Sequence, residues 1–371
     1  MNKNKISPQL LKKVNILSKN KQKVLINCVD FSQTKNFLDK NEYKYHSYRF
    51  ANVFCLDVDL DDLNILSNQN FISYISPNVN VFTTSKEQDF IHLSNLTMNK
   101  YYGQGVTICF IDTGVFPHFD FIFPHSRIVK FVDLINNSNQ AYDDNGHGTF
   151  VCGVACGNGI ISKENKGVAP FANIILIKAL SSNGNSDSNV ILDAMEWIYN
   201  NQHAYGIDIV CMSFGADNEG KIDALSNGVQ ALWDSGITVV AAAGNSGPNE
   251  KTIKSPGINP NIITVGALDI ESLKVADFSS RGPTIFGSKP DLIAPAVEIT
   301  SCNNKFLPYT KMSGTSVATP FVAGICAIIK SRYPNAKNYE IKKFLLNNCT
   351  KITGNKNIEG EGYINFKDLQ N

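Results

Sequence analysis

Near-continuous apolar runs recur through the middle of the chain, at Val106–Ile111, Ile174–Leu180, Ile209–Met212 and Thr238–Ala243. A strand with one wet face alternates apolar and polar residues. Uninterrupted runs predict strands covered on both faces, the habit of parallel sheets. Between these runs, Val190–Tyr199 and Ala224–Trp233 place apolar residues at helical spacing. Strand runs alternating with helical ones predict an α/β fold, a three-layer sandwich around a mostly parallel sheet. Functional side chains then belong at the carboxyl ends of the strands.

Residues 20–84 carry a different pattern, which predicts a small α+β unit of β-α-β-β-α-β layout. Lys23–Cys28 reads as a strand, Gln33–Leu38 as a short helix and Val53–Val58 as an alternating strand. Asp61–Ser67 reads as a helix opened by acidic residues, which suits its N-terminal dipole, and Ile72–Ile75 as a further strand. Three segments are therefore expected: a polar extension over 1–19, the small unit over 20–84 and a large domain over 85–371.

Composition narrows the class. The chain has 371 residues, 43% of them hydrophobic, and a formal net charge of +1. No basic block suggests nucleic acid or a membrane surface. Met1–Lys21 is Lys/Asn-rich without an apolar core, and no apolar run approaches the ~20 residues of a membrane span. Cys28, Cys55, Cys109 and Cys211 lie in strand-like runs and read as reduced, buried small hydrophobes. Cys152 and Cys156 have the spacing of half a zinc site, but no second Cys/His pair completes it, so no zinc is expected. Together these features predict a cytoplasmic protein.

Chemistry concentrates in four small-residue settings. Ser316 sits in Ser-Gly-Thr-Ser-Val-Ala-Thr-Pro, Ser313–Pro320, where it opens a helix with its own N–H pointing outward. Asp112 ends the run Val106–Ile111. His147 lies in Asn-Gly-His-Gly-Thr, and Asn245 follows the run that begins at Thr238. A nucleophile, a base, an orienting carboxylate and an amide donor are what acyl transfer requires. The rival reading of Asp112-Thr113-Gly114 is an aspartic protease, which needs two facing carboxylates; the chain carries a single Asp-Thr-Gly.

At these four blocks, in the order Asp, His, Asn, Ser, the chain resembles the subtilisin-like serine proteases (subtilases). Tyr142-Asp-Asp-Asn-Gly-His147, Phe278-Ser-Ser-Arg-Gly-Pro-Thr284 and Lys289-Pro-Asp-Leu-Ile-Ala-Pro295 are most similar to the AprX-type intracellular branch of bacteria. The resemblance implies a serine endopeptidase with Asp112, His147 and Ser316 as triad, and Asn245 with the Ser316 N–H as oxyanion hole. It implies no cofactor for the chemistry, a peptide or protein substrate, and an inhibitory prodomain over residues 20–84 that the enzyme itself removes. Gly184-Asn185-Ser186 and Ser213-Phe214-Gly215 resemble the two edges between which a substrate strand is added. Asn338–Cys349 and Gly360–Asn365 resemble the last helix and the closing segment of such a domain, with no room for a further module after them.

Some positions depart from the family pattern. Phe150 and Phe321 stand where a histidine is common, and Val317 replaces a common methionine. The loop Gly157–Lys166 lacks the family's calcium-loop spacing, which leaves a structural calcium open. Ile253-Lys254-Ser255-Pro256-Gly257 resembles the turn behind the P1 pocket. Lys254 there would either favour an acidic P1 residue, with maturation after Glu87 or Asp89, or reach solvent and leave an apolar pocket. Two other functions share these residues: a dedicated leader-peptide processing protease, and a catalytically silent, prodomain-locked peptide-binding regulator.

Overall fold

The computed structural model describes residues 1–12, 21–83, 86–87, 101–217, 223–305 and 307–364. The N-terminal unit contains α1 (Pro8–Lys12), β1 (Gln22–Cys28), α2 (Phe31–Lys40), β2 (Tyr45–Tyr48), β3 (Val53–Val58), α3 (Leu60–Ser67) and β4 (Ile72–Pro77). Its sheet has the order β2-β3-β1-β4, and every pair is antiparallel. The acidic start of α3 is a capping box: the Asp59 side chain accepts from Asp62 N while the Asp62 side chain accepts from Asp59 N.

The polar extension expected over 1–19 is in part a component of this unit. Ile6 and Leu10 are each 1% exposed within its core, and Ile6 bridges to Ile75. Two apolar side chains in a Lys/Asn-rich stretch suffice to seat it, because burying each is worth about 1.5–3 kcal/mol.

The chain continues through β5 (Asn80–Thr83) and β6 (Lys86–Glu87) into the large domain. There follow β7 (Thr107–Asp112), α4 (Phe119–Ile122), β8 (Ile128–Asp133), α5 (His147–Cys156), β9 (Asn173–Lys178), β10 (Asn185–Asp187) and α6 (Ser188–Tyr205). Next come β11 (Ile207–Met212), β12 (Phe214–Ala216), α7 (Ala224–Asp234), β13 (Thr238–Ala242), β14 (Ile263–Asp269) and β15 (Lys274–Val275). The domain ends with β16 (Leu292–Pro295), β17 (Ile299–Cys302), β18 (Tyr309–Ser313), α8 (Thr315–Arg332), α9 (Asn338–Asn347), β19 (Cys349–Thr350), α10 (Lys356–Glu359) and β20 (Tyr363–Ile364).

Among the described residues the main sheet runs β19-β20-β16-β14-β13-β11-β7-β9-β8, with β15 beside β14. All its pairs are parallel except β14–β15 and β19–β20. The apolar runs are explained by its two covers. Alternate residues of β7 point to opposite faces: Ile108 and Phe110 join the core under α5, α8 and α9, while Cys109 and Ile111 join the core under α6 and α7. This is the three-layer α/β sandwich expected from the sequence.

The strand order reverses at β7. From it the chain builds β8 and β9 on one side, then crosses to β11, β13 and β14 on the other. Such a switch point opens a crevice at the carboxyl ends of the strands.

The N-terminal unit rests on the outer side of α6 and α7. Leu25, Tyr48, Ala51, Val53 and Cys55 share a core with residues of those helices. The Tyr48 hydroxyl donates to Asp193 Oδ1 at 3.0 Å and to Asn189 O at 3.1 Å.

Candidate active site

Asp112 is the last residue of β7, and His147 is the first of α5. Their loops touch at backbone distance: a Cβ on Gly148 would lie 2.1 Å from Gly114 O, so a side chain there would drive the two loops apart. His147 Nδ1 lies 2.7 Å from Asp112 Oδ1, with both side chains buried. An ionised carboxylate only accepts, so Nδ1 carries the proton and Nε2 keeps its lone pair.

Ser316 is the second residue of α8, after Gly314 at its N-cap. Its N–H is one of the first four of the helix, which have no intrahelical acceptor. α5 and α8 pack against each other. Among the described residues, His147 Nε2 and Ser316 Oγ are both buried without a hydrogen-bond partner, so they are not bonded to one another here. Buried polar atoms are almost always paired. These two lie on the first turns of packed helices. A lone pair and a hydroxyl so disposed can exchange a proton when a substrate draws them together.

Asn245 follows β13, and its side chain is aimed by a residue that sequence reasoning overlooked. Thr315 N donates to Asn245 Oδ1 at 3.0 Å and Thr315 Oγ1 does so at 2.9 Å, while Gly244 N donates to Thr315 Oγ1 at 3.2 Å. With its oxygen held by Thr315, the amide is fixed in orientation, its NH2 turned away from that residue. Thr315 lies inside the Gly-Thr-Ser word already singled out, but its bonds reach 70 residues back.

Gly184-Asn185-Ser186 and Ser213-Phe214-Gly215 come together as two edges with a gap between them, and the chain's own β5 fills it. The small sheet has the order β10-β5-β12, antiparallel on both sides. Phe82 pairs with Asn185 and with Gly215, Thr83 pairs with Phe214, and Thr83 N donates to Gly184 O at 3.0 Å. Val81 is fully buried in the core beneath. Beyond the gap, Lys86 pairs with Ser313 and Glu87 with Met312, just ahead of Ser316. Thr84, Ser85 and Asp89 lie outside the described residues.

Lys254 differs from expectation. Its ammonium pairs with Asp217 at 2.5 Å and lies 5.9 Å from the centre of the Phe82 ring. The ammonium already has a carboxylate partner that is itself largely exposed, which is nearer to the reading in which Lys254 reaches solvent and leaves an apolar pocket. Of the two expected maturation points, Glu87 pairs with Met312 of β18, and Asp89 lies outside the described residues. Phe150 and Phe321 fill the buried core around α5 and α8.

The loop Gly157–Lys166 is closed by a carboxylate. Asp120 accepts from Gly159 N at 3.2 Å, Ile161 N at 3.3 Å and the Tyr309 hydroxyl at 3.0 Å. Calcium takes six to eight oxygen ligands. Here the carboxylate faces N–H and O–H donors, with the Cys302 thiol 3.8 Å away, and the set does not fit that ion. His118, Asp120 and Cys302 lie close enough to share a soft metal. However, His118 Nδ1 accepts from Asp120 N at 3.1 Å and Nε2 lies 2.8 Å from Pro308 O, so both ring nitrogens are engaged. Burial and the neighbouring Asp120 push the Cys302 thiol well up, which keeps it protonated.

The profile of the subtilase family, the S8 peptidases, matches residues 103–363. The chain belongs to the subtilase family. It is 40% identical to the serine protease AprX of Bacillus subtilis (strain 168) over 295 residues, 72% of this chain and 66% of that one. That is just under two thirds of the relative's length. It is 30% identical to the M-protease of Shouchella clausii (strain KSM-K16) over 330 residues, 86% of this chain and 80% of the relative. Against subtilisin DY of Bacillus licheniformis the identity is 34% over 274 residues, 72% of this chain and 91% of the other. The large parallel sheet and its helical covers are thus those of a subtilase, and the profile spans Asp112, His147, Asn245 and Ser316.

Proposed function

We propose that this subtilase is a cytosolic serine endopeptidase whose N-terminal unit is an inhibitory prodomain that it cleaves itself. Ser316 Oγ attacks the scissile carbonyl while His147 Nε2 takes its proton. The imidazolium is stabilised by Asp112, then returns the proton to the leaving amine, and water resolves the acyl-enzyme. The oxyanion is met by the Asn245 amide and the Ser316 N–H. The observation that carries this reading is the buried Asp112–His147 pair at 2.7 Å together with unpaired Nε2 and Ser316 Oγ. No metal or cofactor enters any step.

The prodomain reading is supported by β5, which occupies the place of a substrate strand. Thr83 pairs with Phe214 and Lys86 with Ser313, three residues before Ser316, which supports a maturation cut between Thr83 and Lys86. Substrates are bound as added strands through main-chain hydrogen bonds, which accept many sequences. The cytosolic assignment rests on nine cysteines that are all free thiols.

The test is the full-length chain beside Ser316→Ala. The variant is expected to stay unprocessed, hydrolyse no peptide and resist a fluorophosphonate label. His147→Ala should be as inactive, and the double variant little worse, because triad members act as a unit. Substantial turnover by Ser316→Ala would sink the assignment.

A further inference from the structure

Asp112 and His147 stand on different elements, and their 2.7 Å contact needs something that fixes one loop against the other. Asp143 occupies that place. Its carboxylate is buried, with the residue 7% exposed, and receives five hydrogen bonds. Oδ1 accepts from the Thr113 hydroxyl at 2.9 Å, Asn145 N at 3.1 Å and Gly146 N at 2.8 Å. Oδ2 accepts from Thr149 N at 2.8 Å and the Thr149 hydroxyl at 2.7 Å. The donors thus come from the residue after Asp112 and from residues on both sides of His147. Thr113 Oγ1 in turn accepts from Gly148 N at 2.9 Å, which closes the link.

An ordinary helix cap does less. The N-cap of α5 is Gly146, which has no side chain to bond the first turn. Asp143 supplies that acceptor from three residues upstream and ties it to the Asp112 loop at the same time. Lys178, fully buried at the end of β9, holds the other end of the loop pair: its ammonium donates to Thr113 O at 2.5 Å, Leu180 O at 3.1 Å and Asp144 at 2.7 Å.

We propose that Asp143, acting through Thr113, is the positioning residue that holds the Asp112 carboxylate on His147 Nδ1. The proposal rests on the serine-protease reading above. It assigns Asp143 no contact with substrate. Proton transfer depends steeply on alignment, and a misplacement of about 1 Å at a reacting pair costs on the order of 10²-fold in rate. The charged side chains on these loops and the adjoining strand are Asp112, Asp143, Asp144 and Lys178.

The experiment uses the full chain after self-processing, titrated for active sites. Asp143→Asn is isosteric but turns an NH2 toward N–H groups, so the link fails on one side. It is expected to lower kcat by about 10–100-fold, change KM by no more than about threefold and move the acid limb of kcat/KM to lower pH. The limb moves down because an imidazolium that loses its carboxylate gives up its proton more readily. Thr113→Val, which removes the hydroxyl alone, should reproduce the effect, and Thr113→Ser should restore it. The idea is overturned if folded Asp143→Asn keeps the parent kcat and acid limb, or if Thr113→Ser is as damaged as Thr113→Val. Should Asp143→Asn fail to fold, the Thr113 pair alone decides. Labelling of Ser316 in the unaltered protein separates the two readings: without a label the serine-protease assignment itself falls.

Discussion

Replacing Thr315 by valine would test how the Asn245 amide, our proposed oxyanion donor, is aimed. The side chain is fully buried and valine matches its shape, so the change removes one hydroxyl and little else. Among the described residues two hydrogen bonds go: Thr315 Oγ1 to Asn245 Oδ1 at 2.9 Å, and Gly244 N to Thr315 Oγ1 at 3.2 Å. The bond from Thr315 N to Asn245 Oδ1 at 3.0 Å remains, so the amide is loosened and not released. A net hydrogen bond is worth about 0.5–1.5 kcal/mol, and losing an oxyanion donor outright costs about 10²–10³-fold in kcat. Thr315→Val should therefore lower kcat by roughly 5–50-fold, less than Asn245→Ala, with KM nearly unchanged. The assay is a double-mutant cycle on a peptide anilide, with rates per titrated active site. In the Asn245→Ala background the second change should cost less than about threefold, because the group it aims is gone. Additive losses would refute the reasoning, as would a parent-like Thr315→Val beside a severely impaired Asn245→Ala.

Inhibition by the N-terminal unit supplied separately should tighten as pH falls below neutrality. Burial raises the carboxyls of Asp193 and Glu196, and His46 lies 3.7 Å from Asp193. To the extent that the docked unit supplies that burial, the complex holds more protons than its separated parts, so affinity is lost as pH rises through the raised value; a Ki that weakens on acidification contradicts this. Tyr48→Phe should weaken the same inhibition by about 1–2 kcal/mol, roughly 5–30-fold in Ki, and an unchanged Ki would show that the hydroxyl contributes nothing. Asp120→Ala should destabilise the folded chain by about 2–4 kcal/mol, whereas EDTA should leave its melting temperature within about 2 °C. A chelator effect that Asp120→Ala abolishes would place a cation on that carboxylate. Intact-mass analysis of the processed enzyme should find a new N-terminus at residue 84, 85 or 86, and a start at 88 or 90 would restore the acidic-P1 idea.

The local words around Asp112, His147, Asn245 and Ser316 were legible because the chemistry constrains near neighbours: small residues must leave room for an approaching backbone. The buried strands were legible for a similar reason, since a face-to-face covered sheet tolerates no polar alternation. What the sequence could not show depends on partners distant along the chain. Thr315 aims Asn245 across 70 residues, and Asp143 reaches Thr113 across 30. Lys254 finds Asp217 37 residues away, which cancels a charge that looked bare in its own turn. Ile6 and Leu10 look incidental in a Lys/Asn-rich stretch until the small sheet gives them a surface to cover. The sequence alone therefore determined the family and the layers of the fold. Only the tertiary structure decided which side chains hold the reacting groups in place, because hydrogen bonds between loops have no period and no spacing to read.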